Sequence, residues 1–232
     1  SGAGVVLADA IEECKNIAEK LDAPVACGYQ HNDSFPGKHP LAVGPLGYNG
    51  SKAAMEIISK ADVVLALGTR LNPFSTLPGY GIDYWPKEAK IIQVDINSDR
   101  IGLAKKISVG ICGDAKLVAE QILNQLESTA GDDGREDRKA LIHQTKSAWL
   151  QTLTSLDHEE DDEGTSWNKD SRERDPDRMS PRMAWRAIQA GLPSDAIISS
   201  DIGNNCAIGN AYPTFEQGRK YLAPGLFGPC GY

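Results

Sequence analysis

The chain has 232 residues, with 24 Lys and Arg against 32 Asp and Glu, a formal net charge of −8, and 41% hydrophobic and 24% charged residues. That is the balance of a soluble globular protein, and the acidic excess would repel phosphate backbones over most of the surface, so no nucleic-acid partner is expected. No apolar run approaches the roughly 20 residues needed to span a bilayer, and the first residues lack the basic-then-apolar pattern of a signal peptide, so a cytoplasmic protein without membrane contact is expected.

In chain order, Ile11, Cys14, Ile17, Ala18 and Leu21 recur at helical spacing and predict an amphipathic helix over Ala8 to Leu21, followed by a short strand from Pro24 to Cys27. A Gly/Pro/Asn/His-rich loop covers Gly28 to Gly50, and a helix runs from Ser51 to Lys60. Asp62 to Gly68 (DVVLALG) is a continuous apolar run of the kind a strand buried on both faces requires, and Ala89 to Ile96 repeats it. Ile107 to Cys112 is a further short strand, and Asp114 to Leu126 a helix with Leu117, Ile122 and Leu126 as candidate core residues. This alternation argues for a doubly wound parallel α/β domain. From Thr129 to Arg178 the composition becomes strongly charged, with one helix candidate around Ala140–Leu156, and the stretch reads as linker or surface excursion. Ser180-Pro181 then resembles a helix start, Met183 to Leu192 carries that helix, and Ala196 to Asp201 reads as a strand ending in the polar turn Ile202-Gly203-Asn204-Asn205. The organisation expected is a central α/β domain over 1–128, a charged linker over 129–178 and the opening of a second α/β domain over 179–232. With Ser1 directly on a Gly-x-Gly turn and Tyr232 in a Gly/Pro-rich loop, the chain reads as an internal piece of a longer polypeptide.

The short motifs carry less. Cys14, Cys27, Cys112, Cys206 and Cys230 form no C-x-x-C pair and read as free thiols, most of them buried. Gly2-Ala3-Gly4 lacks the third glycine of a dinucleotide fingerprint, Leu7 standing in its place, and reads as a strand-to-helix turn. Gly68-Thr69-Arg70, at the carboxyl end of a strand, fits either a nucleotide phosphate held by Arg70 or an ordinary βα loop. His31 and His39 with Asp33 read as surface residues rather than a metal site, and the acidic run 157–163 lacks the spacing of a calcium loop. No metal ligands are assigned within the chain. Asp201-Ile202-Gly203-Asn204-Asn205 past a strand could donate hydrogen bonds to a diphosphate, and the loop Ala223 to Tyr232 (APGLFGPCGY) lets something approach the backbone closely.

On those residues, SDIGNNCAIGNAYPTFEQGRKYLAPGLFGPCGY together with ADVVLALGTRLNPF, AKIIQVDINSDRIG and GICGDAKLVAEQI, the chain resembles the thiamine-diphosphate-dependent enzymes of the acetolactate synthase and pyruvate oxidase group. Within that group it looks like the sulfoacetaldehyde acetyltransferases, the subfamily resting mainly on Asp201–Tyr232. The resemblance implies a central domain followed by a diphosphate-binding domain, in a homodimer or homotetramer that converts sulfoacetaldehyde and phosphate to acetyl phosphate and sulfite. It places Asn204 and Asn205 at the cofactor diphosphate, where relatives often carry Gln-His. It places the Gly228 carbonyl on the aminopyrimidine, and Cys230 where a bulkier Met or Leu often wedges the cofactor. Thiamine diphosphate and Mg²⁺ are the cofactors it implies, with the metal motif expected beyond Tyr232 and the family's catalytic glutamate expected before Ser1; FAD is not expected. Arg70, Arg219 and Lys220 are candidate positive charges for an anionic substrate. Two alternatives stay open: an acetolactate synthase or 2-oxoacid decarboxylase on the same scaffold, and a nucleotide-binding regulatory module.

Overall fold

The computed structural model describes residues 1–126, 135–158 and 180–223. Its elements are α1 (Ala3–Leu7), α2 (Ile11–Leu21), β1 (Val25–Cys27), β2 (Ala42–Pro45), α3 (Lys52–Ile58), β3 (Val63–Leu67), α4 (Pro73–Thr76), β4 (Lys90–Asp95), β5 (Val109–Cys112), α5 (Ala115–Leu126), α6 (Arg135–His158), α7 (Pro181–Gly191), β6 (Ile198–Ser199), α8 (Asn204–Ala211) and β7 (Tyr221–Leu222). Single 3-10 turns stand at Asn32–Ser34 and Ser98–Arg100. The named strands pair in parallel, β1 with β2, β3 with β4 and β4 with β5, and β6 with β7, which makes the fold the parallel α/β class the sequence pattern indicates.

Alternation along β3 and β4 supplies both faces of the central sheet. Leu67 and Val94 enter the main core with Cys14, Ile17 and Ala18 of α2, while Ala66 and Ile91 enter a smaller cluster with Leu71 on the other face. Gln93 is 1% exposed in β4 and fully used: its Nε2 donates to the carbonyls of Thr69 and Arg100, both at 3.2 Å, and its Oε1 accepts from the Gly102 amide at 2.8 Å. Ser51 caps α3 through the Ala54 amide and Ser180 caps α7 through that of Met183, as their helix-start sequences predict.

Several expectations are corrected. The first long helix begins at Ile11, not Ala8, because Asp9 takes a left-handed φ of 55° and separates it from α1. The loop over 28–50 contains β2, whose few residues end at Gly44 (φ 95°) and Pro45. Leu117 is 58% exposed; the buried face of α5 is Ala115 and Ala119, with Ile122 and Leu126 packed beside it at i+7 and i+11. The stretch 129–178 is not linker throughout, since α6 docks on the domain through one stripe at i, i+4, i+8 and i+11. Arg138 donates to the Leu21 carbonyl, Ile142 is buried, Lys146 Nζ donates to Pro40 O at 2.9 Å, and Trp149 meets Tyr80 edge-on at 5.3 Å. Only two of those four are apolar, so hydrophobic period alone does not find the packed face. Among the described residues no helix is long and apolar enough to cross a membrane.

Candidate functional site

β6 and β7 pair through Ile198–Tyr221 and Ser199–Leu222 in parallel, so the residues that follow each strand leave from the same edge. After β6 the chain turns at Gly203 (φ 89°) directly into α8. Asn204 and Asn205 therefore stand in the first turn of a helix rather than in the polar turn expected, and Asn204 is exposed. Among the described residues no side chain caps that helix, and none lies within 4 Å of where a Cβ on Gly203 would be. An uncapped first turn presents backbone amides and the positive end of the helix dipole, and an open approach over glycine admits an anion; the donor set fits a diphosphate. After β7 the chain leaves at Ala223 toward the segment that contains Gly228 and Cys230, both of which lie outside the described residues.

The first domain grips these elements through its 28–39 loop. Asn210 on α8 is fully buried; its Oδ1 accepts from the Gln30 amide at 2.7 Å and its Nδ2 donates to Tyr48 O at 3.2 Å. Gln30 Nε2 and the Tyr29 hydroxyl approach Cys206 Sγ at 3.3 and 3.5 Å, and Tyr29 stacks on Phe74 with ring centroids 5.5 Å apart. Burial pushes the Tyr29 and Tyr221 hydroxyls well above the usual phenol range. The Gly37 amide donates to Phe215 O at 2.7 Å, and the Lys38 amide to Glu216 Oε1 at 3.1 Å.

The sequence candidates fare unequally. Asp33 is 2% exposed, not a surface residue, and its carboxylate turns inward onto β7. Neither histidine is a surface residue: the His39 side chain is 16% exposed and pairs with Glu19 at 3.0 Å, and burial lowers the pKa of His31 below the usual 6.5 against the opposing pull of the Asp33 carboxylate. Among the described residues no group of three or more His, Cys, Asp or Glu could hold a metal ion. Cys14, Cys27 and Cys206 are buried free thiols, and Cys112 is exposed. Gly2-Ala3-Gly4 serves a backbone crossing: the Gly4 amide donates to Gly68 O at 2.8 Å, and a Cβ on Gly4 would stand 2.6 Å from Gly68 Cα. Arg219 donates to Leu7 O at 3.3 Å and Lys220 Nζ to Asp195 O at 2.8 Å, so both cations serve backbone carbonyls.

A groove of about 460 Å³ separates β1 from β3, lined by Val25, Val43, Ile57, Leu65 and Leu141 among others. Its apolar walls offer little to a diphosphate or a sulfonate. Asn210 carries no signal in the sequence and Asp33 reads there as a surface residue, until the fold brings partners 180 and 187 positions away onto them.

Residues 1–122 match the family described as thiamine pyrophosphate enzyme, central domain. Across all 232 residues the chain is 78% identical to a protein named probable sulfoacetaldehyde acetyltransferase from Rhizobium meliloti (strain 1021), covering 39% of it. It is 75% identical to the sulfoacetaldehyde acetyltransferase of Roseovarius nubinhibens, covering 38% of that protein. It is 28% identical to a probable acetolactate synthase large subunit from Methanococcus aeolicus, covering 37%. The chain thus spans under two-fifths of the length of these curated relatives.

Proposed function

The chain belongs to the thiamine pyrophosphate enzymes, and on that premise we propose that it is part of an acetyltransferase that converts sulfoacetaldehyde and phosphate to acetyl phosphate and sulfite. The observation that carries the reading is the 78% and 75% identity, over every residue of the chain, to proteins bearing that name. In this reading residues 1–128, with α6 docked on them, are the central domain, and 179–232 open the diphosphate-binding domain.

When bound, thiamine diphosphate supplies the electron sink for cleaving the carbon–sulfur bond. The first-turn amides of α8 and the Asn204 and Asn205 carboxamides bind its diphosphate, with Gly203 leaving the approach open. The Gly228 carbonyl accepts a hydrogen bond from the aminopyrimidine and orients that ring, and the Cys230 side chain packs against the cofactor as a small, polarisable wedge. Mg²⁺ held by ligands outside the described residues, a homo-oligomer and a cytoplasmic location complete the proposal.

The test is sulfite release from sulfoacetaldehyde by the full-length protein with thiamine diphosphate and Mg²⁺, phosphate supplied or withheld. Phosphate-dependent sulfite is the expected result. Pyruvate consumption without sulfite would move the function to the acetolactate synthase branch.

A further inference from the structure

Three residues of one short stretch of the central domain, Gln30, Asn32 and Asp33, grip α8 and β7, the elements beside the proposed cofactor site. The amides of Lys220 and Tyr221, at the start of β7, both donate to Oδ2 of Asp33, at 3.0 and 3.3 Å. Oδ1 of the same buried carboxylate has no hydrogen-bond partner among the described residues. Three positions earlier the Gln30 amide holds Asn210 of α8, and Asn32 Nδ2 donates to the Asn210 carbonyl. One short loop therefore sets where α8 and β7 stand relative to each other.

A buried carboxylate is a poor device for stability alone. Its desolvation is costly, one of its oxygens is left unpaired among the described residues, and an apolar contact of similar volume would hold the surfaces together as well. What the carboxylate adds is direction: two adjacent amides converging on one oxygen fix the start of β7 in position and orientation. β7 pairs with β6, which leads through Gly203 into α8, and six residues before Asn210 is Asn204. A six-residue helical rise is about 9 Å, short enough for the clamp at Asn210 to fix the first turn of α8.

We propose that Asp33 is a positioning residue for thiamine diphosphate: it reaches from the central domain to hold β7 against β6, so that Gly203 and the first turn of α8, which follow β6, stand where they meet the cofactor diphosphate. The inference rests on the assignment of Asn204 and the first turn of α8 to the cofactor diphosphate.

The experiment is calorimetric titration of thiamine diphosphate, with Mg²⁺, into the full-length protein and its Asp33→Ala and Asp33→Asn variants, together with kcat at saturating cofactor. A core variant, Leu67→Ala, controls for lost stability. Removing a charge-assisted acceptor from two amides is expected to weaken cofactor binding at least about tenfold in Asp33→Ala. Asp33→Asn, which keeps one acceptor oxygen, is expected to lose less, and kcat at saturation to hold within about threefold in both, since no contact to the reacting atoms is removed. Leu67→Ala is expected to melt earlier yet bind the cofactor as the unsubstituted protein does. Unaltered affinity in both Asp33 variants, or an equal loss in Leu67→Ala, overturns the inference and leaves the cofactor assignment standing. Failure of the unsubstituted protein to bind the cofactor removes the assignment and the inference with it.

Discussion

Along β3–β4–β5 the pairing extends over five residues on one side and four on the other, and the buried apolar side chains are Ala66, Leu67, Ile91 and Val94. The β6–β7 pair is two residues long, and Ile197 just before it is 63% exposed. Its hold on the rest of the molecule is polar: Asp33 on the amides of Lys220 and Tyr221, Gln30 and Asn32 on Asn210, Gly37 on Phe215. Burial is non-directional and scales with area, so it holds a long sheet firmly while several small shifts cost little. A two-residue ladder has too little alternating surface to specify its own register, and directional bonds from a neighbouring loop do so instead.

Substitutions should separate the two modes. Leu67→Ala empties a site that is 2% exposed in the long sheet and is expected to cost about 2–5 kcal/mol in urea unfolding, with the loss spread over the whole transition. Asn210→Ala strands the Gln30 amide and the Tyr48 carbonyl and is expected to cost about 1–3 kcal/mol, with faster hydrogen exchange concentrated at the Gln30 amide rather than along β3 and β4. An Asn210→Ala variant whose exchange rises equally in the central sheet would collapse the distinction.

The smallest effect concerns pH. Burial lowers the pKa of His31 in the folded chain, outweighing the Asp33 carboxylate that raises it, so below 6.5 the unfolded chain binds this proton more readily than the folded one. Stability is therefore expected to fall as the pH drops below 6.5, and His31→Gln to flatten that part of the profile; an unchanged slope would remove His31 as its source.

The same division explains what was legible in the residues. β3, β4 and β5 are readable because a strand buried on both faces needs an apolar run, and α7 because Ser180-Pro181 is a start signal with a mechanism. Leu117, a large apolar residue, stands exposed because α5 turns its small residues Ala115 and Ala119 to the core, and size alone does not show which face packs. α6 misled because its docking stripe alternates Arg138 and Lys146 with Ile142 and Trp149, and charge along a helix ordinarily signals solvent. In the candidate site, Gly203-Asn204-Asn205 was visible as a polar stretch past a strand, but whether it formed a turn or a helix start depended on a glycine φ that composition does not encode.

The sequence by itself determined the parallel α/β class, most strand and helix positions and the resemblance to thiamine-diphosphate enzymes, because these follow from local periodicity, turn chemistry and motif spacing. Only the tertiary structure decided that Asp33 is buried on β7, that Asn210 is locked by Gln30 and Asn32, and that α6 lies on the domain body. Those depend on which polar groups meet across more than a hundred residues of chain, and a hydrogen bond leaves no periodic trace in either segment that makes it.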